Sequence, residues 1–133
     1  MNRRSPAASA PSRWSAAPLQ LTTALVFTAL FLAVSLATTW TESTFGQAGV
    51  FSIAALVGAS DITPFLLSLA QGGAPGMTFS ALAAAVLIAA SANNLAKAGY
   101  TIGFGGLAAA ERSSAMLAVL ALLGFAAAAA YLM

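Results

Sequence analysis

The chain contains no cysteine and no histidine, and its only acids are Glu42, Asp61 and Glu111. Each absence removes a class of chemistry. Without cysteine there is no disulfide framework and no thiol nucleophile. Without either residue, zinc, haem and iron–sulfur centres lose their usual ligands, and imidazole acid–base catalysis is excluded. Three acids far apart in the chain offer no paired-carboxylate mechanism, so the sequence reads as a non-enzyme with no implied cofactor. Charge of either sign is scarce: 6% of the 133 residues, against 60% hydrophobic. A soluble domain carries about 25% charge. So few charges cannot clothe a water-facing surface, and the lipid bilayer must solvate most of the exterior. Arg3, Arg4 and Arg13 supply three of the five basic residues in a net charge of +2. That is too sparse and too local for binding nucleic acid.

What is present is a series of apolar runs. Residues 1–18, rich in Ser, Ala, Pro and Arg, read as a disordered cytoplasmic tail. A secretory signal is the competing reading, but the apolar run that follows is too long for a signal core of about 7–15 residues. Residues 19–133 read as an all-α integral membrane domain of four transmembrane helices. The spans fall at about 19–40, 46–70, 78–101 and 114–131, each near the ~20 residues that cross the hydrocarbon. Trp40 suits an interfacial aromatic belt, with Trp14 near the opposite one. Glu42 lies in a short connection, residues 71–76 form a tight turn, and Gly103 to Gly106 end the third helix. Gly124 and Ala128 form a small-residue pair on the fourth. The arginines put the N-terminus in the cytoplasm, and four crossings bring the C-terminus back to that side. In this arrangement Lys97 and Arg112 fall toward the outer face, against the same rule.

One stretch breaks the pattern. Ser60, Asp61, Thr63 and Pro64 put a carboxylate, two hydroxyls and a proline inside an apolar run. A carboxylate there is costly, and proline interrupts the backbone ladder. Thr is a good N-cap and Pro is favoured early in a helix, so Thr63-Pro64 predicts a second half-helix starting there and a break near Ser60 to Pro64. Discontinuous helices of this kind build ion sites in many transporters. Ser91, Asn94, Lys97 and Thr101 make one stripe on the third span, with Asn93 beside it. Antiparallel packing over the 71–76 turn would put Asp61 about 15 Å above that turn and Asn93 and Asn94 about 23 Å above it. Ser60, Asp61, Thr63, Asn93, Asn94 and Lys97 thus form a candidate polar site of oxygen ligands, suited to a hard cation or a proton, with Asp61 the candidate metal ligand. Plainer readings stand beside it. Asp61 can sit hydrogen-bonded between helices, asparagines can serve packing, and Lys97 can snorkel.

Three segments carry a resemblance: Phe45-Gly46-Gln47-Ala48-Gly49-Val50, then Leu56-Val57-Gly58-Ala59-Ser60-Asp61-Ile62-Thr63, and Ala89-Ala90-Ser91-Ala92-Asn93-Asn94-Leu95-Ala96-Lys97-Ala98-Gly99. They are similar to the uncharacterised C-terminal membrane domain, a domain of unknown function, that follows the MgtC/SapB domain in many bacterial and archaeal proteins. That family usually carries a second aspartate where this chain has Ala59-Ser60. The resemblance implies a multi-helix bacterial inner-membrane protein of unknown biochemical role, linked by name to magnesium homeostasis.

The sequence therefore leads to a four-span membrane protein. It would assemble with copies of itself or with a separate MgtC/SapB-like partner, and handle or sense a cation. The alternative is a structural or assembly subunit with no solute path. A small four-span drug/proton exchanger would place its acid in the first span, and residues 19–40 hold none.

Overall fold

The computed structural model describes residues 17–105 and 107–133. The tail read from residues 1–18 therefore lies almost wholly outside the described residues, as does Trp14. Among the described residues the chain is all helix: α1 (Ala17–Ser60), α2 (Ile62–Ala70), α3 (Phe79–Gly105) and α4 (Leu107–Leu132). Three segments are long and apolar enough to cross a membrane: Gln20–Ser60, Phe79–Gly105 and Glu111–Leu132.

α1 is not one rod. Gly46 leaves helical geometry at φ 62° and ψ −145°, a conformation that costs glycine little and other residues much. Thr41 and Gly49 touch across this point, although eight residues of straight helix would separate them by about 12 Å. Leu30 and Val34 line one cavity with Leu56, Val57 and Ser60, which a straight helix would hold about 33–45 Å apart. The chain therefore rises along residues 17–45, turns over at Gly46 and descends along residues 47–60.

A second reversal follows at Asp61. α2 carries the chain back toward Gly46. The Gly76 amide donates to Glu42 Oε1 at 2.9 Å, and the Thr39 hydroxyl donates to the Gly73 carbonyl at 3.1 Å. Both partners on α1 lie within seven residues of Gly46, so the exit loop ends on the side where the hairpin began. Gly72, at φ 83°, closes α2 in a Schellman turn, with Gly73 N–H on Ser68 O at 2.8 Å and Gly72 N–H on Leu69 O at 3.0 Å. Thr78 then caps α3: its hydroxyl accepts from Ala81 N–H at 3.3 Å.

This corrects the four-span expectation. Residues 46–70 have the length of one crossing but are divided into limbs of about 21 Å and 14 Å. Neither spans a hydrocarbon core of about 30 Å. The pair goes down and returns, so three segments rather than four are long and apolar enough to cross a membrane.

α3 runs parallel to the descending limb. A Cβ at Gly58 would strike the backbone of Ala89, so glycine permits the helices to meet at van der Waals distance. Val34, Val50, Ala54, Phe65, Ala74, Met77, Ala81, Ala85 and Ala89 form the buried core above that contact. α4 returns antiparallel to α3 and, among the described residues, packs on α3 alone. Gly124 sits against the Ser91 side chain, and Ala121 and Ala128 are buried on the same seam. Small residues at such seams let backbones approach where lipid supplies no hydrophobic drive.

Candidate functional site

Asp61 is the single residue between two helices. Its backbone is extended, φ −150° and ψ 116°. Its N–H donates to Val57 O at 2.9 Å, completing the descending limb. Its carboxylate Oδ1 accepts from Thr63 N–H at 2.9 Å, starting α2. The half-helix start predicted at Thr63-Pro64 thus lies two residues earlier: Asp61, not Thr63, is the N-cap. Both are good capping residues, and the earlier one takes the role because the first ladder ends on it. Pro64 falls in the first turn, where its missing N–H would have had no intrahelical partner anyway. It is fully buried, so the proline is accommodated inside α2 rather than causing the break.

The site lies about midway between two groups of exposed aromatic residues. Leu30, Val34, Val57, Ser60, Asp61 and Pro64 share a cavity of about 210 Å³ with Leu56. Leu30 and Val34 come ten and six residues before Trp40, or about 15 and 9 Å along the helix. Trp40 and Phe45 meet edge to face at 6.0 Å and are exposed, as an upper aromatic belt would be. Gly58 meets Ala89, so Asp61 is level with Ala92. Tyr100 lies eight residues further along α3, about 12 Å lower, and pairs with exposed Phe104 at 6.5 Å. The two belts bracket Asp61 almost evenly within a core of about 30 Å. On insertion scales a carboxylate at that depth costs about 2.5–3.5 kcal/mol.

The other candidate residues take different places. Ser60 and Thr63 are exposed beside Asp61. Asn93 and Asn94 are half-buried, at nearly the depth of Asp61. Asn93 is four residues after Ala89, so it continues the α3 face that meets the hairpin. Lys97 is exposed, about 8 Å lower. Among the described residues, no hydrogen bond or ion pair joins Asp61 to Asn93, Asn94 or Lys97; its one side-chain bond is the cap to Thr63. The stripe residue Thr101 turns back on its own helix, donating to Lys97 O at 2.7 Å. Ser91 and Ser68 are buried with hydroxyls that have no partner among the described residues. Ser91 faces Gly124 and Ser68 faces Gly73, so neither points at Asp61.

No three metal-binding side chains converge among the described residues. A cation at the tip would rest on the Asp61 carboxylate, hydroxyls and the carbonyls of Gly58 to Ser60. Those carbonyls lie beyond the last rung of the descending limb. Two residues escaped notice in the sequence. Gly46 reads as an ordinary helix start, and Glu42 as a solvated loop acid. Only the returning loop shows that Glu42 closes the mouth of the hairpin.

Three segments long and apolar enough to cross a membrane, with a broken hairpin beside them, mark a helical protein of the membrane class. The chain belongs to the family described as Domain of unknown function (DUF4010), which matches residues 1–105. The match ends with α3. No curated protein and no solved structure gives a match.

Proposed function

We propose that this protein handles a cation across the bacterial inner membrane, with Asp61 at the tip of the broken hairpin as the group that binds it. The observation that carries this reading is the one-residue break at mid-depth. It holds a carboxylate, the free carbonyl end of one half-helix and a cavity at a single point, and half-helix ends near the midplane are how transporters coordinate ions. Intramembrane acids are functional by default because their insertion is costly. The resemblance to the MgtC/SapB-associated domain is in keeping with magnesium as the physiological context. It also offers a separate MgtC/SapB-like chain, or a second copy, as partner. Residues 20–30 of α1 are exposed at every position and present a surface for either.

Charge supports an orientation. With three crossings, Lys97 and Arg112 lie on the same side as Arg3, Arg4 and Arg13. All five basic residues then mark the cytoplasmic face, and the conflict within the four-span arrangement disappears. The N-terminus is cytoplasmic and the C-terminus external.

The test is flux. The purified chain in liposomes loaded with a pH-sensitive or a Mg2+-sensitive dye should pass at least one of the two ions. Asp61→Asn should reduce that flux at least tenfold while leaving the helical content unchanged. No flux of either ion in the unaltered chain, or an Asp61→Asn chain as active as the original, would sink the reading. One observation favours a second reading, that of an assembly subunit: the carboxylate already serves as the α2 cap. Folding that depends on Asp61 without any flux would establish it.

A further inference from the structure

We propose that Asp61 is reached by water from the basic face only, through a vestibule beneath the hairpin tip. The inference deepens the cation reading above, on which it rests, by naming the route.

The region above the tip is sealed. Val50, Ala54, Phe65, Met77, Ala81 and Ala85 are buried between Asp61 and the Gly46 side. The mouth there is tied by the Glu42–Gly76 and Thr39–Gly73 bonds. Below the tip the hairpin supplies nothing, because it has turned back. Residues 20–30 of α1 are exposed, as are Ser60 and Asp61. Non-helical backbone at membrane depth occurs only where it is buried in protein or lines a water-filled cavity. The break at Asp61 is not buried, so water is its solvent. Asn93 and Lys97 continue down α3 on the side that faces this space, giving it a polar wall.

The lining of the route is otherwise apolar: α1 presents Leu30 and Val34 to the tip, and α2 presents Pro64. Lys97 is the one charged group on α3, so it sets the charge that a solute meets on the way to the tip.

The chain has no native cysteine, so single introduced thiols report cleanly. Ser60→Cys in sealed vesicles of each orientation, treated with a membrane-impermeant charged thiosulfonate, should be modified at least tenfold faster from the face bearing Arg112. Ser68→Cys, buried above the tip, should stay unmodified from both faces. In the same background, Lys97→Met should slow the anionic reagent and speed the cationic one. Modification of Ser60→Cys from the Glu42 face, at equal rates from both faces, or by an apolar maleimide alone would overturn the vestibule. Absence of all Asp61-dependent flux defeats the cation reading instead and leaves the accessibility result standing.

Discussion

The α3–α4 pair and the broken hairpin are built from the same small apolar residues, yet only the helices of the pair are each long enough to cross a membrane. In the pair, Ser91, Gly124, Ala121 and Ala128 form an uninterrupted seam, and each helix runs more than 25 residues. In the hairpin, a seam of the same kind, Gly58 on Ala89, stops within three residues of an extended backbone. Close packing is thus common to both regions and cannot be what sets them apart. The difference is Asp61, which ends one helix through its amide and begins the next through its carboxylate. The pair is scaffold; the hairpin spends its length bringing polar backbone to the midplane.

The sharpest way to break the comparison is to ask which side the chain ends on. If the hairpin crossed, the C-terminus would share the face of the N-terminus. With a returning hairpin they differ. Alkaline phosphatase fused after Met133 should be active, and a fluorescent protein at the same position dark, with the N-terminal fusions giving the reverse. The outcome is all or none, and matching faces would restore a fourth crossing.

A smaller effect separates the two seams. A methyl group added at Gly58 meets backbone, which cannot move without moving α3. At Gly124 it meets the Ser91 hydroxyl, which can rotate. Gly58→Ala should cost about 1–3 kcal/mol as overpacking, and Gly124→Ala about 0.5–1.5 kcal/mol, the cost of an off-rotamer side chain. Unfolding midpoints in mixed micelles read both. Equal losses would show that the hairpin seam is no more rigid than the scaffold.

Much of this was legible in the residues, and the rest was hidden for physical reasons. Asp61 stood out because a carboxylate in an apolar run is costly wherever the chain goes next. The break near it followed from capping chemistry, and the turn after Gln71 and the start of the third span near Thr78 from the Gly- and Pro-rich stretch between two apolar runs. The direction of the chain after the break did not. Residues 46–70 are long enough for one crossing, and hydropathy counts length without registering a reversal. The reversal rests on a positive φ at Gly46, an extended residue 61 and a bond from Gly76 to Glu42, which is 34 residues away. None of these has a local signature. The depth relation between Asp61 and the Asn93 region also needed a contact, Gly58 on Ala89, to fix the register.

The smallest expected effect separates the two roles that Asp61 combines. Asparagine is as good an N-cap as aspartate, whereas alanine accepts no hydrogen bond. Asp61→Ala should therefore lower stability by about 1 kcal/mol, within the range of about 0.5–2 kcal/mol for a lost cap, while Asp61→Asn should leave it near the original. On α3, Asn94→Ala removes a side chain with no bond to Asp61 and should shift the midpoint less than Asp61→Ala. If Asp61→Asn destabilises as much as Asp61→Ala, the negative charge itself supports the fold, through the positive end of α2. In that case the hairpin is held together by the same group that is proposed to bind the cation. If only Asp61→Ala destabilises, capping and ion handling are separable, and the tip can change charge without changing shape.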